Sequence, residues 1–137
     1  MAKYVLPLSL VLVVFVAGCT GNDADDAMAT AAEVSSARLV GVDEFAERMG
    51  EPDVLAVNVH VPDEGQLPGT DLAIRFDEIS DSEALPPDLD TPLAIYCKSG
   101  NMSAEAVADL VALGYTDVVE LDGGFDAWVE AGRRLDS

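Results

Sequence analysis

Leu93-Ala94-Ile95-Tyr96-Cys97-Lys98-Ser99-Gly100-Asn101-Met102-Ser103 decides the fold of this chain. Leu93–Tyr96 is an uninterrupted apolar run, short and rich in strand formers, and reads as a buried strand. It delivers Cys97 to a short polar loop with one glycine, Gly100. Ser103–Leu113 then reads as a helix, with Ala106, Val107, Leu110 and Leu113 on one face and Gly114 as its stop. A strand, a tight loop and a helix in that order is half of a parallel crossover unit.

The same alternation extends in both directions. Upstream, Arg38-Leu39-Val40 is a short extended piece. Asp43 is placed to cap a helix carrying Phe45, Ala46 and Met49, closed by Gly50. Val54–Val59, bounded by Pro52 and Pro62, reads as a second buried strand. Gly65, Pro68 and Gly69 mark a loop, Leu72–Ile74 a short strand, Asp77–Ile79 a helical turn, and Pro86–Pro92 a connector. Downstream, Val118–Leu121 reads as a strand, Gly123-Gly124 as a turn, and Phe125–Ala131 as a last helix. Strands alternating with helices imply an α/β fold, with a central, mainly parallel sheet and helices on both faces.

In such a sheet, ligands bind at the carboxyl ends of the strands, where Cys97 sits. A loop curling into a helix amino terminus turns backbone N–H groups inward and adds the positive end of the helix dipole. That field favours a thiolate over a thiol, and an anionic sulfur one atom further out. The strand end is expected to present the sulfur, and Lys98 to add a mobile positive charge for an anionic donor. The candidate site is therefore Cys97 as nucleophile, with Lys98, Ser99, Gly100, Asn101, Met102 and Ser103 binding substrate.

Composition narrows the field. The 137 residues suit one domain, and half are hydrophobic, enough for a core. With 26 acidic against 7 basic side chains the net charge is −19, which excludes a general nucleic-acid binder. Lysine occurs only at Lys3 and Lys98, and the carboxylates are dispersed. That pattern fits adaptation to high salt, where counterions screen self-repulsion. Two cysteines, Cys19 and Cys97, cannot build a Cys₄ zinc site, and a single histidine, His60, argues against a histidine-based metal site. No metal or cofactor is expected.

Residues 1–18 read as an address. Lys3 precedes the apolar run Val5–Val16, which is too short to cross a bilayer, a task needing about 20 residues. Val16-Ala17-Gly18-Cys19 resembles the lipobox of exported lipoproteins, a family in which the cysteine carries diacylglycerol and becomes the first mature residue. Lipidation at Cys19 would anchor the chain on the extracytoplasmic face of the cell membrane and leave Cys97 as the only free thiol. Residues 19–36, rich in Asp, Ala, Ser and Thr, read as an acidic flexible tether, and 37–137 as the domain.

Three segments of that domain resemble the rhodanese-like domain family, the sulfurtransferases. Val57-Asn58-Val59-His60 with Pro62-Asp63-Glu64 is similar to the family's segment after the second strand. Gln66-Leu67-Pro68-Gly69-Thr70 is similar to its proline–glycine turn. Cys97–Ser103, with Leu121-Asp122-Gly123-Gly124-Phe125 and Trp128, is similar to its active-site loop and closing segment. The resemblance implies a central parallel sheet flanked by helices. It also implies a loop cysteine that accepts a sulfane sulfur as persulfide and passes it to a thiol or other nucleophile.

The chain departs from that pattern at Asn58, His60 and Gln66, where aspartate, arginine and histidine are common, and at Met102, a common arginine. These changes remove salt bridges that brace the loop and cations that help place anionic donors. A catalytically weak sulfur- or protein-binding module with the same fold is therefore the alternative. A cysteine phosphatase needs a loop arginine gripping phosphate, and Cys97–Met102 has none. A thiol–disulfide oxidoreductase needs a resolving cysteine, also missing there. His60 is expected at the surface or at a strand end rather than as a base, Phe125, Trp128 and Tyr96 in the core, and Gly123-Gly124 in a tight turn.

Overall fold

The computed structural model describes residues 36–137. The address over residues 1–18, the lipidation at Cys19 and the tether, all but Ser36, lie outside the described residues. Among the described residues no helix is long and apolar enough to cross a membrane.

The elements follow in the order β1 (Ala37–Val40), α1 (Val42–Met49), β2 (Leu55–Asn58), β3 (Leu72–Ala73), a 3₁₀ helix (Phe76–Asp81), β4 (Leu93–Tyr96), α2 (Asn101–Leu113), β5 (Val118–Leu121) and α3 (Gly124–Glu130). The five strands form one sheet in the order β1-β5-β4-β2-β3, every neighbouring pair parallel. β4 lies at the centre and is buried along its whole length. This is why its sequence is continuously apolar instead of alternating.

Alternation along the strands sorts the core into two halves. Leu93 and Ile95 of β4 and Val118 of β5 face α2 and the 3₁₀ helix, meeting Ala106, Val107, Leu110, Ile79 and Cys97. Ala94, Tyr96, Val119 and Leu121 face the other way, onto Phe45 of α1 and Phe125 and Trp128 of α3. Helices thus cover both faces. Each fully buried large apolar side chain here stabilises the fold by roughly 1.5–3 kcal/mol. The expected core places of Phe125, Trp128 and Tyr96 hold. Tyr96 lies under the sheet with its hydroxyl accepting from the Leu67 N–H at 3.0 Å and 2.6 Å from the Thr70 hydroxyl, which fixes the Leu67–Thr70 turn.

Three local expectations are corrected. Gly41, not Asp43, is the N-cap of α1; Asp43 sits in the first turn and pairs with Arg133. α2 begins at Asn101 instead of Ser103, because Gly100 in the left-handed conformation turns the chain directly into the helix. Leu113, expected on the inner face of α2, is 43 % exposed. The helix ends there at a left-handed Gly114, and the inner face is completed by Tyr115, which follows that reversal.

Candidate active site

The Cys97 loop is built between two helix amino termini. On one side, Gly100 donates its N–H to Cys97 Sγ at 3.1 Å and hands the chain to α2. An anionic sulfur gains more from that donor than a neutral one does. On the other side, α3 meets the loop from beneath. Phe125 N–H donates to the Cys97 carbonyl at 2.9 Å and Asp126 N–H to the Lys98 carbonyl at 3.0 Å. First-turn N–H groups that a helix cannot satisfy internally are thereby used to seat the loop.

Gly124 makes this seating possible. It holds φ +59, and a Cβ there would stand 2.4 Å from the Cys97 carbonyl oxygen and from the Lys98 carbonyl carbon and oxygen. The tight turn expected at Gly123-Gly124 is thus also a close approach of two backbones.

The sulfur is not presented openly as the strand end suggested. Cys97 is 1 % exposed, because the loop curls over it and α2 closes the far side. Ser103, fully buried in the first turn of α2, places its hydroxyl 3.4 Å from Sγ. The same hydroxyl donates to Glu120 Oε1 at 2.7 Å and lies 3.1 Å from the Gly100 carbonyl. Glu120 comes from the middle of β5, next to β4, and points to the α2 side of the sheet. Burial lifts its carboxyl above the usual range, the Ser103 hydrogen bond pulls it back in part, and the Asp122 charge pushes it up again. Sequence reasoning missed Glu120. The signal was present as a single carboxylate interrupting Val118-Val119-Glu120-Leu121 on its buried period.

Lys98 is not free. Its Nζ lies 3.0 Å from Glu64 Oε1 and 5.8 Å from the centre of the Phe125 ring. Glu64 holds His60 with its other oxygen, Oε2 to Nε2 at 2.6 Å. The hydrogen bond from His60, then that from Lys98, keeps the Glu64 carboxyl below its ordinary range. The His60 ring stands edge-on to Phe125, with centres 5.4 Å apart. His60, Glu64, Lys98 and Phe125 therefore form one cluster at the rim, with the lysine charge already partnered.

The other departures also have physical places. Asn58 is buried, accepts from the His60 N–H at 3.0 Å and donates to the Gly65 carbonyl at 3.3 Å, so a neutral amide now braces this segment. Gln66 pairs through its backbone with Asp136. Met102 packs its side chain partly against the α2-side core. Ser99 and Asn101 are exposed on the outer rim. Of the sequence-predicted set, Cys97, Gly100 and Ser103 meet at the sulfur.

Comparison with known proteins bears on the family and the fold. The family model described as a rhodanese-like domain matches residues 41–131. Thiosulfate sulfurtransferase GlpE of Pseudomonas fluorescens is 36% identical over 86 residues, which cover 62% of this chain and 79% of that protein. The protein of the same name from Pseudomonas syringae pv. syringae is 41% identical over 69 residues, but these span only 58% of its length and 50% of this chain. Among solved structures, a rhodanese-related protein from Thermoplasma volcanium superposes with a TM-score of 0.60 at 26% identity, covering 72% of this chain and 96% of that one. With its parallel sheet, its cysteine loop between two helix amino termini and a matching model across most of the domain, the chain belongs to the rhodanese-like domain family.

Proposed function

We propose that this chain is a lipid-anchored extracytoplasmic sulfurtransferase or sulfane-sulfur carrier, with Cys97 as its nucleophile. The observation that carries the chemistry is the Gly100 N–H aimed at a buried Cys97 Sγ at 3.1 Å. The thiolate attacks the outer sulfur of an anionic donor such as thiosulfate. The donor's S–S bond breaks, sulfite leaves with the electron pair, and Cys97 holds a persulfide. Cyanide or a thiolate then takes the outer sulfur and returns the pair to Cys97. Relatives named thiosulfate sulfurtransferase support this reading. No cofactor enters either step.

The test is thiocyanate production from thiosulfate and cyanide by the full-length chain carrying Cys19→Ser, which leaves Cys97 as its only thiol. Turnover lost on Cys97→Ser supports the reading; equal turnover with and without Cys97 refutes it. The partnering of Lys98 by Glu64 and the inward packing of Met102 favour slow use of anionic donors, which is where a sulfur- or protein-binding module would lie.

The anchor rests on Val5–Val16 and Val16-Ala17-Gly18-Cys19. Cys19→Ser should block processing or release the chain from the membrane fraction. Recovery of unmodified wild-type chain from the cytosol would refute the anchor without touching the chemistry.

A further inference from the structure

Cys97 is 1 % exposed, so the nearest proton route from its sulfur is one through the groups packed on it. The structure supplies an internal one. Ser103 Oγ, 3.4 Å from Cys97 Sγ, is placed to accept the S–H, and it donates its own proton to Glu120 Oε1 at 2.7 Å. A hydroxyl has one proton, so while it serves an ionised Glu120 it turns a lone pair to the sulfur. The Gly100 carbonyl, 3.1 Å from Oγ, is the competing acceptor.

The surroundings isolate these three groups. From α2, the other inward side chains are Ala106, Val107 and Leu110. From β1, the register partner of Glu120 is Leu39. From β4, Ile95 lies beside it and Cys97 lies across Ser103. The Tyr115 phenol in the same core half is spent on the Pro86 carbonyl at 2.6 Å. The charged group that acts on Glu120 is Asp122, of the same sign. Among the described residues, no cation pairs with Glu120.

We propose, taking Cys97 as the nucleophile, that Cys97 and Glu120 share one proton through the Ser103 hydroxyl, which makes Glu120 a positioning residue that sets how much thiolate the loop presents. One proton passes from Sγ to Ser103 Oγ as the Ser103 hydroxyl proton passes to Glu120 Oε1. The S–H bond breaks, an O–H bond forms on the carboxylate, Ser103 is unchanged, and the trio keeps a single negative charge. Persulfide formation moves that charge to the outer sulfur. Discharge to a nucleophile returns it to Cys97, from which the proton can run back.

Sharing has a signature that packing alone lacks. A proton traded inside the trio involves no proton from solvent, so the thiolate fraction is independent of pH between the two ionisations of the pair. Plotted logarithmically against pH, the rate of Cys97 alkylation should rise, run flat, and rise again. Above the first ionisation the carboxylate suppresses the thiolate, so removing it speeds the reaction there.

The experiment measures iodoacetamide alkylation across pH on the full-length chain carrying Cys19→Ser, compared with Glu120→Gln, Ser103→Ala and Ser103→Thr in the same background. Glu120→Gln should give one continuous rise, reaching about tenfold faster alkylation at the upper end of the wild-type flat interval. Ser103→Ala should lose the flat interval, and Ser103→Thr, which keeps the hydroxyl, should retain it. Superimposable profiles for Glu120→Gln and its parent, or a parent profile with a single rise, overturn the proposal. If circular dichroism shows Glu120→Gln unfolded, Ser103→Ala decides alone, and a flat interval that survives it overturns the proposal. Alkylation needs no sulfane donor, so failure here leaves the sulfurtransferase reading intact, and failure of thiocyanate production leaves this result intact.

Discussion

Replacing Gly124 by alanine should dislodge the Cys97 loop while sparing the sheet. The added Cβ would stand 2.4 Å from three backbone atoms of Cys97 and Lys98, and backbone cannot swing away as a side-chain tip can. Two costs add. Holding a non-glycine residue at φ +59 costs about 1–2 kcal/mol, and forcing a methyl into packed space costs about 1–3 more. A loss of about 2–5 kcal/mol should lower the melting temperature by roughly 8–40 °C, at about 4–8 °C per kcal/mol. The three atoms that the methyl would meet belong to the Cys97 loop, so the Gly100 N–H contact to sulfur should fail as well. A hydrogen bond to a charged group is worth about 1.5–3 kcal/mol, so sulfur loading at a temperature where the chain is still folded should fall roughly 10–100-fold. Gly132→Ala is the control. Gly132 also has positive φ, +80, but no atom lies within 4 Å of its Cβ position, so it should lose only about 1–2 kcal/mol and load sulfur normally. Scanning calorimetry and single-turnover loading read the two effects. Equal loading by Gly124→Ala and Gly132→Ala would refute the claim that α3 seats the loop through this close approach.

Three further outcomes are expected. Burial lifts the Glu120 carboxyl above 4.5, so the folded chain binds that proton more tightly than the unfolded chain; its contribution to stability is full at acid pH and falls as pH rises from the ordinary value through the raised one. Urea midpoints should show that decline, Glu120→Gln should flatten it, and an unchanged slope would contradict the burial assignment. The Lys98–Glu64 pair is exposed, so Glu64→Gln should speed thiosulfate use and Lys98→Ala should slow it by no more than about fivefold, each difference shrinking as salt rises; an effect indifferent to salt would show that charge is not its cause. With a net charge of −19, melting temperature should climb toward molar salt, where the Debye length is about 3 Å, alike for sodium and potassium chloride; equal values in dilute and molar salt would reject adaptation to high salt.

The elements were legible in the sequence because each is short and cleanly bounded. Leu93–Tyr96 could be read as a buried strand from its unbroken apolar run, and Gly114 and Gly123-Gly124 mark ends that require positive φ. The position of the candidate nucleophile was legible for the same reason: Cys97 follows a strand and precedes a helix. What could not be read were relations between distant segments. Lys98 and Glu64 meet because β2 lies beside β4, and nothing near Lys98 in the chain announces that partner. The burial of Cys97 depends on how tightly Gly100 turns into α2, which moved the helix start to Asn101. Glu120 reaches Ser103 only because β5 pairs with β4 in the register Ile95 to Glu120, which sets its side chain on the face α2 covers. Asp43 looked like a cap by residue type, but Gly41 already supplies the turn and accepts the first helical N–H, from Phe45, on its carbonyl.

The most direct test of Cys97 as sulfur acceptor is intact mass of the full-length Cys19→Ser chain before and after thiosulfate or polysulfide, repeated with Cys97→Ser. A gain of one sulfur atom, removed by cyanide and missing from Cys97→Ser, is the expected result. A folded chain whose mass stays unchanged with every sulfane donor, or one that gains sulfur equally without Cys97, would contradict it.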